Sequence, residues 1–209
     1  MSMLKERLNR HFATAAIAVG AAALGTAQQA NAAIVHSGAV NIVIPDNIDG
    51  VYMNVVTGAT GTAGGAVPGW DINPYSALAG QFNLWGATTT TWLSTSGVIG
   101  GPYNLADGAT IGPAGMFFRP GGGTNIAPEM NLNGSNNLLG FQFTNENGGG
   151  THYGWMRVEF GENAGIRSIV EYAYENVPST AIGAGVVPAP GALALFGVAG
   201  LACARRRRA

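Results

Sequence analysis

The amino-acid sequence predicts an all-β fold: a single antiparallel β-sandwich or jelly-roll-like domain over residues 33–185, with one short helix at each end of the chain. Runs of β-branched and aromatic residues are short, and segments rich in Gly, Asn and Pro separate them. Outside the termini, no apolar stripe of helical periodicity exceeds two turns. The chain has 33 glycines, only 10% charged residues and 9% aromatic residues, which suits many tight turns around a packed core.

The first four strands are expected at residues 40–44, 51–57, 88–95 and 138–144. Pro45 ends the first of these strands, and an Asp-Gly turn precedes the second. The third is rich in threonine. In the fourth, Phe141 and Phe143 are two residues apart and therefore share a face.

The clearest strand pair is a hairpin of residues 152–160 and 166–174, joined by a loop at 161–165. Arg157 and Arg167 are expected to form exposed ion pairs with Glu159 or Glu171, each worth about 0–1 kcal/mol. The first strand should place Tyr153, Trp155, Arg157 and Glu159 opposite Gly154, Met156, Val158 and Phe160. The second should place on one face Ile166, Ser168, Val170, Tyr172 and Tyr174.

The N-terminus has the three parts of a secretory signal, in the required order. Positive residues at 5, 7 and 10 precede an Ala-rich apolar segment at residues 12–24. Ala30, Asn31 and Ala32 then form a small-x-small cleavage site, so signal peptidase is expected to leave a mature chain that begins at Ala33. Residues 1–32 are therefore a signal helix; the alternative is an Ala-rich helix buried in the core.

The C-terminus carries a second apolar segment, at residues 191–204, which would span about 21 Å as a helix against a hydrocarbon core of about 30 Å. Four cations follow it: Arg205, Arg206, Arg207 and Arg208. Arginines in this position stop transfer at the negative cytoplasmic interface. A plain tail anchor and a basic tail for nucleic acid are the alternatives, and an export signal conflicts with the second.

A Pro-x-Pro motif stands directly before this apolar segment, in the run Val187, Pro188, Ala189, Pro190 and Gly191. Residues 186–209 thereby resemble the PEP-CTERM sorting signal, which combines such a motif with a short apolar helix and a terminal basic cluster. The middle residue is Ala189, where the commonest form has Glu. The resemblance implies export through the inner membrane and processing by an exosortase-like enzyme. It also implies a cell-surface or extracellular location, with the sorting helix as a transient or permanent membrane anchor.

The body of the chain also resembles a group of PEP-CTERM proteins. The matching segments are residues 44–58, 68–74, 140–143, 151–158 and 171–175. That group has no established activity, so the resemblance implies location and fold type and leaves the chemistry open. PEP-CTERM proteins are associated with envelopes and extracellular polysaccharide, which implies a role in a matrix or biofilm.

The charge of the body excludes one class of partner. Residues 33–188 contain ten acidic side chains, three arginines and no lysine, a net charge of −7. Such a surface repels phosphate backbones, so nucleic-acid binding is not expected. Cys203, in the tail, is the only cysteine, so the body has no disulfide and no thiolate nucleophile.

No catalytic residue and no cofactor are expected. The body has no nucleophile elbow, and its histidines are His36, near the new N-terminus where order is not expected, and His152, whose expected role is structural. A glycosidase would need two carboxyl groups about 5–9.5 Å apart, for which Glu159 and Glu171 are the candidates. A secreted hydrolase is therefore the second alternative.

No metal site is expected either, since two dispersed histidines do not suit zinc. Calcium is the open alternative, because oxygen-bearing side chains cluster in two turns. They are Asp46, Asn47 and Asp49 beside Gly50, and Asp71 with Asn73. Asp and Asn in loops more often form turns than bind metals.

Trp70, Trp85 and Trp92 lie in or near loops and are the candidate ligand contacts, because sugar rings stack on exposed aromatic residues. The alternative is that these rings fill the core, as expected of Trp155 in its strand. The leading prediction is thus an exported, non-enzymatic surface or matrix protein. The first alternative is a lectin-like module that binds extracellular polysaccharide.

Overall fold

The computed structural model describes residues 33–146 and 149–188. They form short 3-10 helices at Gly64–Ala66 and Ala127–Glu129, and fourteen strands. The strands are β1 (Ile34–His36), β2 (Ile42–Val43), β3 (Tyr52–Met53), β4 (Thr60–Gly61), β5 (Ile72–Tyr75), β6 (Asn83–Gly86), β7 (Thr91–Leu93), β8 (Asn104–Leu105), β9 (Thr110–Ile111), β10 (Phe117–Phe118), β11 (Gly134–Thr144), β12 (Thr151–Phe160), β13 (Arg167–Glu175) and β14 (Ile182–Gly183). Every strand pair is antiparallel, so the predicted all-β class is confirmed.

The three longest strands, β11, β12 and β13, form the middle of an eight-stranded sheet. The strand order is β1-β13-β12-β11-β7-β10, with β2 also on β13 and β8 also on β11. A second sheet has the order β4-β3-β5-β6, and β14 pairs with β9 as a two-stranded ribbon. The described residues contain no helix long and apolar enough to cross a bilayer. The signal helix and the sorting helix lie outside the described residues.

Both faces of the eight-stranded sheet are covered. On one face, Phe141, Met156 and Ile169 share an apolar cluster with Met53 and Leu84 of the four-stranded sheet. On the other face, a second cluster joins the central sheet to the ribbon. Its members are Leu93, Leu105, Ile111, Leu138, Tyr153, Trp155, Ala173, Ile182 and Ala184. The molecule therefore has a third layer that the prediction of two sheets did not include.

The third layer explains a glycine in the middle of β11. A Cβ atom on Gly140 would lie 2.9 Å from Leu105 Cδ1 and 3.0 Å from Ile111 Cγ1. Side chains of β8 and β9 occupy that space, and only glycine allows them so close to the β11 backbone.

The long strands have the positions and approximate lengths predicted from the sequence. The short strands lie where they were predicted but are shorter. Residues 138–144 lie within β11, and the predicted hairpin is β12 and β13 with the expected loop. The strands predicted at 40–44, 51–57 and 88–95 have only two or three residues each in strand conformation, as β2, β3 and β7.

A β-bulge changes the face assignment on β13. Arg157 pairs with Glu171, but Val158 pairs with Ile169, which leaves Val170 as the extra residue. Tyr172 and Ile169 therefore both face the core shared with the four-stranded sheet. The prediction that Ile166, Ser168, Val170, Tyr172 and Tyr174 share one face is wrong, because the bulge shifts the alternation by one residue.

One of the two predicted ion pairs on this hairpin is confirmed. Arg157 Nε donates to Glu171 Oε1 at 2.6 Å. Arg167 forms a different pair: its side chain has 0% exposure, and its Nη2 lies 3.6 Å from Asp46 Oδ1. The prediction of an exposed pair between Arg167 and Glu159 or Glu171 is therefore wrong.

Candidate functional site

The three tryptophans proposed as ligand contacts differ in exposure. Trp92 is fully buried, and its ring lies 5.7 Å from that of Phe141 in the core. It offers no face to a ligand, so the expectation of a contact at Trp92 is wrong: β7 is an inner strand of the central sheet. Trp70 and Trp85 are half-buried.

Trp85 lies on β6 with one face occupied. The guanidinium carbon of Arg119 lies 5.0 Å from the ring centroid. Arg119 also donates to the main-chain oxygens of Gly86, at 3.0 Å, and Ala87, which fixes its position. A cation held over the ring in this way stabilises the packing and covers that face of Trp85.

Trp70 lies in the loop between β4 and β5 and packs against Tyr52 of β3. Their ring centroids are 4.9 Å apart at an interplanar angle of 90°. The 3-10 helix Gly64–Ala66 also packs against this pair, since a Cβ atom on Gly64 would lie 2.8 Å from Trp70 Nε1. Neighbouring groups thus hold the half-exposed ring in one orientation.

Buried polar groups lie next to Trp70. Asn54 is 1% exposed, and its amide donates to Gly69 O at 2.8 Å and to Glu146 Oε1 at 2.6 Å. The amide oxygen of Asn54 accepts the N–H groups of Val56 and Thr57 at 2.9 and 2.8 Å. This one side chain therefore connects three loops of the domain.

Asp71, the residue after Trp70, is 3% exposed, and its Oδ2 accepts the N–H of Val55 at 2.8 Å. Burial is the main cause that raises the pKa of Asp71 to about 7, and the charge of Glu146 adds to it. The pKa of Tyr174 is also raised, by burial and by these two carboxyl groups. We call Tyr52, Asn54, Trp70, Asp71 and Glu146 the Trp70 cluster.

A carboxyl group with a pKa of about 7 can donate or accept a proton near neutral pH, and such groups are common in active sites. Asp71 is almost completely covered, however, so a substrate cannot reach it in this conformation. The accessible part of the Trp70 cluster consists of the half-buried rings of Trp70 and Tyr52 and the exposed Glu146. This arrangement suits binding better than catalysis.

Glu159 and Glu171, the two carboxyl groups considered for glycoside hydrolysis, lie in different surroundings. Glu171 is held by Arg157 and by His36, whose Nε2 lies 3.1 Å from Glu171 Oε2. Glu159 is exposed at a shallow groove of about 440 Å³. Both carboxylate oxygens of Glu171 are therefore in contact with side chains of the protein itself, whereas a glycosidase acid must present its carboxyl group to the substrate. This contact also corrects the expectation for His36, which is ordered in β1.

His152 has the structural role expected from the sequence. It is 1% exposed, with Nδ1 at 2.8 Å from Glu175 O and Nε2 at 3.2 Å from Gly149 O. The imidazole joins the end of β13 to the turn before β12.

The oxygen-rich turns form hydrogen bonds within the protein. Asn47 Oδ1 accepts the N–H groups of Asp49 and Gly50, and Asn73 Nδ2 donates to Asp49 O at 2.8 Å. Asp46 accepts from Ser76 Oγ at 2.5 Å. In residues 33–146 and 149–188, no group of three or more His, Cys, Asp or Glu side chains is arranged to hold a metal ion. The calcium alternative therefore gains no support.

The ends of the described chain are held at the central sheet. Trp155 Nε1 on β12 donates to Val186 O at 3.2 Å, and Ala33 N donates to Glu175 Oε1 on β13 at 2.8 Å. Val187 and Pro188, which begin the predicted sorting motif, are exposed. The other residues of the predicted signals lie outside the described part: Ala30, Ala32, Ala189, Pro190, Gly191, Arg205, Arg206, Arg207 and Arg208.

The chain matches no protein-family model, and it has no match among curated proteins or among solved structures. Its function is therefore inferred from its own residues.

Proposed function

We propose that this chain is an exported, non-enzymatic cell-surface or extracellular-matrix protein. In this proposal, residues 1–32 are a signal peptide removed by signal peptidase, residues 33–185 are the mature domain, and residues 186–209 are a sorting signal. An exosortase-like enzyme processes the chain near Val187–Gly191, and the sorting helix anchors it in the inner membrane until then.

The supporting observation is the structure of the described residues next to the two expected processing sites. β1 begins at Ile34, one residue after the expected first mature residue. At the other end, Val186 N donates to Gly183 O at 3.1 Å, directly before the Pro-x-Pro motif. Val187 has 42% exposure, so the beginning of the motif is accessible to a processing enzyme. Within the described residues, strand pairing thus begins next to the expected signal-peptidase site, and the turn at residues 183–186 stands next to the expected sorting motif.

Mass spectrometry of the mature protein from its native host tests this proposal. We expect an N-terminus at Ala33 and a C-terminus between Pro188 and Pro190. An Ala32→Leu variant should retain its leader, because signal peptidase requires a small residue before the cleaved bond. Full-length protein at the outer surface that still carries the terminal arginines, or protein dissolved in the cytosol, would refute the proposal.

The second candidate is a polysaccharide-binding module, and the Trp70 cluster favours it. Trp70 is half-exposed and fixed edge-to-face by Tyr52, and the carboxylate of Glu146 lies close by, at Asn54. Sugar recognition commonly combines a rigid aromatic ring with nearby hydrogen-bonding groups. On a glycan array, Trp70→Ala should abolish binding, while Trp85→Ala should leave it intact. Equal binding by the Trp70→Ala protein and the unaltered chain would exclude this site.

We also propose that the described domain is built as a β-sandwich. The support is the apolar cluster that the four-stranded sheet shares with one face of the eight-stranded sheet. The β9–β14 ribbon is then an addition on the opposite face. Side-chain NMR contacts of the mature protein would test this, because a sandwich brings Met53 or Leu84 of the smaller sheet against Phe141 or Met156 of the larger one, and their absence would contradict it.

A further inference from the structure

Glu175, the last residue of β13, is a buried carboxylate with no cation beside it. It is 3% exposed, and its Oε1 accepts the N–H groups of Ala33 at 2.8 Å and Val177 at 3.0 Å. The four ion pairs of the described residues all involve other side chains. An ionised carboxylate removed from water is costly unless a cation pairs with it.

Strand pairing places the nitrogen of Ala33 at this carboxylate. Ile34 is the partner of Glu175 in the β1–β13 ladder, and Asn176 N donates to Ala33 O at 3.1 Å. Ala33 N also lies 3.1 Å from Asn176 Oδ1. Two side-chain oxygens therefore converge on one main-chain nitrogen, which has a single hydrogen while it belongs to a peptide bond.

We propose that cleavage after Ala32 turns this contact into an ion pair, in which the new α-ammonium group of Ala33 is the cation that neutralises Glu175. This inference rests on the proposed signal cleavage. Hydrolysis adds the hydroxyl of water to the Ala32 carbonyl carbon and a hydrogen to Ala33 N. The acid formed on the leader loses its proton, and the amine takes one up to give an ammonium with three N–H donors.

The site accepts an N-terminus at one position only. Each residue advances a strand by about 3.3 Å, so cleavage one bond earlier or later would move the ammonium out of hydrogen-bond reach of Glu175. In the precursor the donor to Glu175 is an uncharged peptide N–H, so removal of the leader adds the positive charge that completes an ion pair between β1 and β13. Processing and the docking of β1 on β13 are coupled through Glu175.

The composition of the chain allows a selective test. Its only lysine is Lys5, in the leader, so the mature protein has one primary amine, the α-amine of Ala33. An N-hydroxysuccinimide ester will therefore acylate this group alone. The full-length gene is expressed in a Gram-negative host, and the exported, processed protein is labelled at pH 7.5 and analysed by mass spectrometry. Glu175→Gln keeps an acceptor oxygen but removes the charge, and Glu159→Gln, at an exposed carboxylate of β12, is the matched control.

We expect the unaltered protein and the Glu159→Gln control to react about tenfold more slowly than the Glu175→Gln protein, since an adjacent carboxylate keeps the amine protonated. Acetylation of the amine should lower the Tm of the unaltered protein by about 3 °C or more and leave that of the Glu175→Gln protein unchanged. An N-terminus other than Ala33 would overturn the inference together with the proposed cleavage. An N-terminus at Ala33 with equal labelling rates, or with equal effects of acetylation, would overturn the ion pair alone.

Discussion

Replacement of Asp71 by Asn should make the domain more stable at alkaline pH. Asp71 is 3% exposed, and burial raises its pKa to about 7. Asparagine has nearly the same shape, and its amide oxygen can still accept the N–H of Val55. The substitution removes the ionisable group and keeps the hydrogen bond, so the effect on stability reports the cost of burying the charge.

The size of the effect follows from linkage. The pKa of Asp71 rises from 3.8 in the unfolded chain to about 7 in the fold. Between these values the folded state binds more protons than the unfolded state, so stability falls as pH rises through this window. At 1.36 kcal/mol per pKa unit, the unaltered protein loses up to about 4 kcal/mol through this group by pH 8. The Asp71→Asn protein does not incur this loss.

Urea unfolding followed by tryptophan fluorescence between pH 4 and pH 8 measures the difference. The other carboxyl groups titrate in both proteins, so the difference in unfolding free energy isolates Asp71. We expect similar stabilities at pH 4, and an advantage of the variant that grows from about pH 4 to about pH 7 and then levels off. Asp49→Asn, at an exposed turn, is the matched control for the chemical change. A constant difference between the two proteins across this pH range would refute the assignment of a raised pKa to Asp71.

Three further substitutions test the packing, each read out by the free energy of unfolding. Arg167→Met should cost about 3–5 kcal/mol, because it leaves buried carbonyl groups without their donor. Gly50→Ala should cost more than Gly80→Ala: both have positive φ, but only at position 50 would the new Cβ lie 2.3 Å from a backbone oxygen, while position 80 is open. Phe141→Ala should cost about 3–5 kcal/mol, because the fully buried ring leaves a cavity between the sheets.

For each of these substitutions, one result would contradict the structure. A stable Arg167→Met protein would mean that the guanidinium lies in water. Equal losses for the two glycine variants would mean that the backbone of Pro74 does not approach Gly50. A loss below about 1 kcal/mol at Phe141 would place its ring outside the core.

Local patterns in the sequence were sufficient to predict the long strands. In β12, Tyr153 and Trp155 alternate with Met156 and Val158 over ten residues, and the hairpin loop is short. The β2, β3 and β7 strands were placed correctly but predicted too long, since their ends are decided by neighbouring strands. Local propensity has little influence over two or three residues.

The third layer and the bulge could not be predicted in the same way. Ile111 and Ile182 lie in Gly-rich segments whose composition indicates loops, yet they pair across the ribbon and cover the central sheet. That cover explains why Trp155 is buried on the face opposite the four-stranded sheet. The extra residue at Val170 leaves no mark in composition, and it reverses the faces along half of β13.

The residues of the candidate site could also be predicted only in part. Trp70 and Asp71 could be selected from the sequence by residue type alone. Glu146 could not, because it belongs to the cluster only through a hydrogen bond to Asn54, which is distant in sequence. The importance of Glu175 depends on the ladder that brings β1 to β13, and no local signal indicates it. Long-range pairing decides which of many similar acids become buried.

The charges inside this domain are neutralised in three different ways. Arg167 keeps its cation beside Asp46, although burial lowers its pKa to about 10. Asp71 binds a proton, and in our proposal Glu175 pairs with the terminal ammonium group. A body with three arginines and no lysine has few side-chain cations available for its ten acids. A proton and a chain terminus add positive charge without further side chains, and the terminus supplies its charge only after export. We therefore expect the free energy of unfolding to be larger after processing than before it. The contribution of Asp71 should make it larger in acidic than in alkaline surroundings.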